Sequence, residues 1–300
     1  MQPESFPVVK QNGPIDILIS SIQKCPDEII CSHGSADFDA LRDLDLMYSD
    51  KAAVLEERNE VLKERFIVAN PNFSQIASFQ IDGYGDVGLA RRATELDKDV
   101  LEQEFKVRFS RVYEVLRQII EAGVKIQAGG IKSVEAVNRR IEQGSRDRSL
   151  RLPDLFRLRI IFNNLASLGN FSEQMFDTMT RNDFKCVGCR NKYHSREEID
   201  MIDSGGNVVS VTSSPVRKFR AIGTEWIKNH SDSPLQNLPT EIQLITSNMH
   251  LASMMTHPFR EHSRKMSWSD IAGSDREGKI ENWVRNLMTK ASIRDFEQFL

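Results

Sequence analysis

The run Leu158 to Phe162 is apolar apart from Arg159, and Asp154 stands just ahead of it. A short stretch of branched and aromatic residues predicts a strand at the centre of a sheet, covered on both faces. Such a strand needs sheet neighbours and flanking helices, so it commits the chain to a layered α/β arrangement. An acid at the mouth of that strand lies at the edge of the sheet, where clefts form. With 300 residues the chain is long enough to bury a core around it, in one large domain or two smaller ones.

The remaining periodicities fill in the layers. Ile15 to Gln23 predicts a short helix, Glu28 to Ser32 a strand ending at Gly34, and Leu44 to Tyr48 a second strand. Lys51 to Phe66 carries helix formers at helical spacing, and Gln75 to Ile81 alternates like a third strand. Gly83 and Gly85 flank Tyr84 and, with Gly88, mark a turn or linker. Leu96 to Ala122 predicts a long amphipathic helix with Leu101, Phe105, Phe109, Val112 and Leu116 on or near one face. Gly123 and Ala128-Gly129-Gly130 punctuate the stretch after that helix, and Ser133 is placed to cap a helix reaching about Gln143.

Phe171 to Met179 is helical in pattern, while Asn207 to Thr212, Arg220 to Ile227 and Glu241 to Thr246 predict strands. Met249 to Glu261 is a helix that Pro258 ends or kinks, and Gly278 to Leu300 predicts one or two C-terminal helices. The fold class is α/β (α+β), a mixed β-sheet flanked by helices. Residues 1–92, 93–270 and 271–300 are its expected units.

Net charge is −3, so no global basic field draws the chain to nucleic acid or to an anionic membrane. No apolar run approaches the roughly 20 residues of a membrane helix. Residues 1–13 are polar, contain Pro3 and Pro7, and lack the basic-then-apolar order of a secretory signal, so a cytoplasmic protein is expected. The cysteines are Cys25, Cys31, Cys186 and Cys189. Cys186-Val-Gly-Cys189 has zinc-knuckle spacing, with His194 nearby, but a structural zinc wants four ligands. Four reduced thiols are the simpler reading.

From Lys132 to His257 the order of motifs resembles the synthetase domain of RelA/SpoT-type alarmone synthetases. Gly130-Ile131-Lys132-Ser133 with Arg140 is similar to that family's ATP-binding helix start. Asp154-Leu-Phe-Arg-Leu-Arg159 resembles its Asp and Arg flanking the first core strand. Lys218-Phe219-Arg220-Ala-Ile-Gly223 resembles Gly-Tyr-Arg-Ala-Ile-His, and Thr240-Glu241-Ile-Gln243-Leu-Ile resembles the Glu-Ile-Gln-Leu-Arg strand. The resemblance spans about residues 95–265. It implies a nucleotidyltransferase-like fold and transfer of pyrophosphate from ATP to the ribose 3′-hydroxyl of GDP or GTP.

The site residues come with the resemblance. Asp154 and Glu241 would be the catalytic acids and would hold Mg²⁺. Lys132, Arg140, Arg159, Arg220, Gln243 and His257 would contact nucleotide, and Phe219 would stack on the acceptor base. The residue types suit the chemistry, because phosphoryl-type transfer asks mainly for charge neutralisation and in-line placement. Metal-bridging carboxylates, phosphate-facing cations and a stacking ring supply both. The chain departs from the pattern at Gly130, Gly223 and Ile245, where the family has Arg, His and Arg. Those departures bear on the acceptor. They keep open pyrophosphate transfer to an adenine nucleotide or a transfer RNA 3′ end, and a catalytically silent nucleotide-binding module.

A second resemblance covers residues 14–83. Gly34-Ser35 followed by Asp43-Leu-Asp45 is similar to the Gly-Ser turn and Asp-x-Asp pair of small polymerase-β-type nucleotidyltransferases. Alternation sets Asp43 and Asp45 on one strand face as metal ligands, with Asp82 as a third acid. On this reading two related folds stand in tandem, and the first transfers a nucleoside monophosphate. The His and His-Asp cluster of the alarmone family's hydrolase domain is not visible among the six scattered histidines.

Overall fold

The computed structural model describes residues 51–71, 73, 76–96, 98–132, 134–135, 137–138, 154–193, 198–203, 205–212, 220–229, 233–263 and 275–300. The helix and strands expected between residues 15 and 48 lie outside the described residues. In chain order the elements are α1 (Ala52–Ala69), β1 (Phe79–Ile81), α2 (Val87–Thr94), α3 (Lys98–Leu116), β2 (Lys125–Ile131), β3 (Phe156–Phe162) and α4 (Leu165–Arg181). They continue as β4 (Phe184–Asn191), β5 (Glu198–Ile202), β6 (Val208–Thr212), β7 (Ile222–Lys228), β8 (Thr240–Thr246), α5 (Ser247–Ser263) and α6 (Asp275–Phe299).

The strands form one eight-stranded sheet in the order β2-β3-β8-β7-β4-β1-β5-β6. β3 runs parallel to β8, β1 runs parallel to β5, and the other pairs are antiparallel. This is the mixed sheet flanked by helices that the sequence predicts. β1, from the first expected unit, is hydrogen-bonded between β4 and β5 of this same sheet. α6, from the last expected unit, packs along α1 and α5.

Strand alternation explains where the core sits. On one face Leu158, Ile160 and Phe162 of β3 meet Ile242 and Leu244 of β8 and Ile222 and Trp226 of β7. α4 covers them with Leu168, Phe171, Met175 and Met179, and α3 adds Val112 and Leu116. α4 starts where Asn164 caps it, accepting the Ser167 N–H at 2.9 Å. On the other face only the far ends of β3 and β8 are apolar. Ile161 and Ile245 pack there under Met249 and Ala252 of α5 and Leu287, Met288 and Ala291 of α6. The opening residues of β3 and β8 on that face stay polar.

Two expectations change. Ala128-Gly129-Gly130 lies within β2, whose register slips between Ala128 and Gly130. Paired glycines here mark a bulge in an edge strand rather than a loop. The helix around Pro258 runs on to Ser263. Its first turns are anchored by buried Met249, Ala252 and Thr256, and that packing outweighs one missing N–H donor.

α6 is tied to the β8–α5 junction by a buried acid. Asp295 accepts from the Thr246 hydroxyl and from Asn248 Nδ2, the latter at 2.8 Å. Burial pushes its carboxyl up to about 7, against the pull of those two donors. A carboxyl whose folded pKa is raised stabilises the fold fully below its ordinary value of 3.8, and that contribution is lost as pH rises toward 7. Asp295→Asn is therefore expected to flatten the decline in unfolding free energy between about pH 4 and pH 8 by up to about 4 kcal/mol. Urea melts of both proteins at each pH measure it. Equal slopes would show that Asp295 ionises as freely folded as unfolded.

Candidate active site

Because β3 and β8 are parallel and in register, Arg157 lies opposite Glu241 and Arg159 opposite Gln243. Alternation turns these four positions to the same face as Ile161 and Ile245, so the polar half of that face begins where the apolar half ends. Asp154 sits in the turn just before β3, and Lys132 follows β2 directly. The Lys132 N–H donates to Leu155 O at 3.0 Å, which closes the β2–β3 end. Lys132 Nζ then donates to both carboxylate oxygens of Asp154 at 2.7 and 2.8 Å.

Glu241 is the pivotal group. It is half-buried, and its carboxyl is pushed up to about 7. Burial contributes most, followed by the nearby charge of Asp154. Arg157 and Lys192 oppose the rise, and Glu225 adds to it. The two acids named from the sequence therefore come from separate elements and act on each other across one face of the sheet.

The neighbouring cations are fixed in place. Arg159 Nε donates to Gln243 Oε1 at 2.9 Å, and its NH1 lies 3.1 Å from Nδ1 of His250 on α5. Burial, then Arg157, lowers its pKa to about 10, and Glu241 partly restores it. It stays cationic at neutral pH.

Three glycines shape the floor. A Cβ on Gly129 would come within 2.9 Å of Arg157 Nε and of the Arg157 carbonyl oxygen. One on Gly188 would meet Glu225 Oε2 at 2.5 Å, and one on Gly223 would lie 3.5 Å from Glu241 Oε1. Each charged side chain leans over a glycine of the next strand.

Not every predicted residue joins this cluster. Arg220 turns toward α1, donating to Lys192 O at 2.8 Å and approaching Glu60 Oε1 at 3.6 Å. His257 lies on α5 beyond His250, and its side chain is not described. Arg140, Phe219, Asp43 and Asp45 fall outside the described residues. Asp82 is exposed at the end of β1. Burial pushes the Cys186 thiol up to about 12 and that of Cys189 well above its ordinary value, which disfavours the thiolate a zinc ion needs.

Arg157, Lys192, Glu225 and His250 join the neighbourhood without having been assigned a role from the sequence. Arg157 shares strand parity with Arg159, and that signal was available. Glu225 faces Glu241 only through the β7–β8 register, which no local pattern specifies.

The arrangement fits a hard divalent cation. Two carboxylates whose like charges raise one of them are relieved by a shared positive ion, and both donors are oxygens. Among the described residues no three His, Cys, Asp or Glu side chains converge as a metal cage. Mg²⁺ suits such a site, because it commonly takes one or two carboxylates and completes its shell with water and phosphate oxygens.

No family model matches the chain, and no curated protein matches it. Solved structures do. The small alarmone synthetase 1 from Bacillus subtilis bound to its product pppGpp is 18% identical, covering 66% of this chain and 88% of that one at a TM-score of 0.40. A GTP pyrophosphokinase family protein from Streptococcus pneumoniae is 15% identical, covering 66% and 85% at a TM-score of 0.42. The Bacillus enzyme bound to AMPCPP is 17% identical, covering 71% and 96% at 0.31. Among the described residues no helix is long and apolar enough to cross a membrane.

Proposed function

We propose that this chain is a transferase that moves pyrophosphate from ATP to the 3′-hydroxyl of an acceptor nucleotide, with GDP or GTP as first choice. One observation carries the reading. Asp154 and Glu241 act on each other across β3 and β8 beside Lys132, Arg157 and Arg159, and burial followed by the charge of Asp154 pushes Glu241 up to about 7 against the pull of Arg157. A general base works best when its pKa lies near the working pH.

In the reaction the acceptor hydroxyl gives its proton to Glu241. Its oxygen forms a bond to the β-phosphorus of ATP, the bond from that phosphorus to the α–β bridging oxygen breaks, and AMP departs. Asp154 and Glu241 would hold Mg²⁺, which when bound supplies charge neutralisation on the donor phosphates. Lys132 is placed to release Asp154 and take up phosphate charge, and Arg157 and Arg159 offset the rest. Gln243 and His250 hold the Arg159 guanidinium in one orientation.

Incubation with γ-labelled ATP, Mg²⁺ and GDP, GTP, ADP, AMP or transfer RNA tests the assignment, with label expected on a guanine nucleotide. Gly223, standing where the family has a phosphate-contacting His, favours an adenine nucleotide or transfer RNA as the second choice. Transfer of α-label instead would move the chemistry to Asp43 and Asp45. Nucleotide binding with no transfer would leave a silent module. The pH dependence is a separate check. Since the base form of Glu241 is required, kcat/KM is expected to fall about tenfold per pH unit below the Glu241 pKa and to level above it, and Mg²⁺ held by the same carboxylate would lower that pKa from its metal-free value of about 7. An acid limb that survives unchanged in the residual activity of Glu241→Gln would remove Glu241 as the base.

A further inference from the structure

The outer face of α1 carries a pattern that the core does not use. Leu55, Asn59, Lys63 and Phe66 are the buried positions of this helix, and α6 packs along it. Turned away from them are Val54, Val61 and Val68, which are 50%, 45% and 81% exposed. At about 100° per residue, positions seven apart are only about 20° out of line, so the three valines form one narrow apolar line. A single exposed valine needs no explanation. Three at heptad spacing match the seam of a coiled coil.

Charged residues flank that line by sign. Glu57 and Glu64 fall about 40–60° to one side of Val61, and Arg58 and Arg65 fall as far to the other. All four are exposed. Glu57, Glu64 and Arg65 make no ion pair among the described residues. Arg58 donates to Glu297 of α6, which holds its guanidinium on the basic flank. An acid column, an apolar column and a basic column therefore run side by side along a helix about 27 Å long.

The order of those columns selects both the occupant and its direction. Two copies of α1 set face to face and parallel, about a two-fold axis along the helices, bring each valine against its own counterpart. The same axis brings the acid column of each copy against the basic column of the other, with Glu57 beside Arg58 of the second copy and Glu64 beside its Arg65. An antiparallel pair would set acid against acid and arginine against arginine, which opposes association. We propose that the outer face of α1 is a self-association surface, on which a second copy of this chain docks with its own α1 parallel to form a two-fold dimer. A single helix pair lies at the small end of specific interfaces, so the dimer forms on the order of tens of micromolar.

Sedimentation equilibrium of the full chain over a concentration series tests this, with a monomer–dimer equilibrium expected. Val61→Glu sets two carboxylates against each other on the axis. It is expected to leave the chain monomeric throughout, with an unchanged melting temperature at low concentration, because Val61 is exposed in the monomer. Arg65→Glu is expected to weaken the dimer by about fivefold or more, and adding Glu64→Arg to it is expected to restore the dimer. Val54→Cys is expected to cross-link to itself under a mild oxidant faster than the parent chain with its four cysteines. In an antiparallel pair those two thiols would stand about 21 Å apart. A wild-type chain that stays monomeric across the series would overturn the proposal, whatever covers the valines instead. So would a dimer that survives Val61→Glu, one that the double exchange fails to restore, or a Val54→Cys chain that cross-links only to Val68→Cys in a mixture of the two.

Discussion

Glu241→Gln is expected to lower pyrophosphate transfer by about a thousandfold while leaving the fold intact. The glutamine keeps the shape of the side chain and removes both the proton acceptor and a metal-binding charge. Loss of a positioned general base alone is typically worth about 10²–10⁴ in rate. The same substitution should not destabilise the protein at pH 8. The wild-type carboxyl, pushed from 4.5 to about 7, is ionised there at a cost on the order of 1–3 kcal/mol, which the neutral amide avoids. Asp154→Asn should also abolish transfer, for a different reason. It removes the partner of Lys132 and one of the charges that raise Glu241, so any residual activity should show its acid limb at lower pH. Turnover within about threefold of wild type in both variants, with melting temperatures unchanged, would show that the chemistry lies elsewhere in the chain.

Phe66→Ala is expected to cost about 3–5 kcal/mol of unfolding free energy, the usual range for truncating a buried aromatic. Phe66 is 1% exposed and forms the hub of an aromatic cluster. Its ring meets Phe73 at 5.1 Å, Phe296 at 5.3 Å and Phe299 at 4.9 Å between centroids. Those rings come from α1, the segment after it and α6, so one side chain joins both ends of the described chain to the core. Urea denaturation should show a lower midpoint with an unchanged slope, because the surface exposed on unfolding stays the same. A loss below about 1 kcal/mol would mean that α1 and α6 are not seated on the sheet as described.

The candidate face was partly legible because it repeats one parity pattern. β3 reads Arg157, Arg159, Ile161 at alternate positions, and β8 reads Glu241, Gln243, Ile245. Both strands thus declare a polar beginning and an apolar end on the same face, and placing them side by side predicts a polar half that gives way along the strands to an apolar one. The Lys132–Asp154 pair was less legible. It depends on β2 lying against β3, and the glycines that permit the bulge there resemble a loop in the sequence. Arg220 shows the opposite limit. Its motif suggested a phosphate contact, while the folded chain turns it toward Glu60, because α1 supplies a nearer acid from a distant segment.

Local periodicity determined which stretches become strands and helices, and which alternate residues share a face, since those depend only on the pleat and the helical turn. Tertiary structure alone decided that β8 lies parallel to β3 and antiparallel to β7. That order lets Asp154 from one side and Glu225 from the other act on Glu241. The pairing energy of a sheet comes from contacts between segments far apart in the chain, and such contacts leave no trace in the residues next to either one. The raised pKa of Glu241 belongs to the same class, because it is a property of the neighbours that folding supplies.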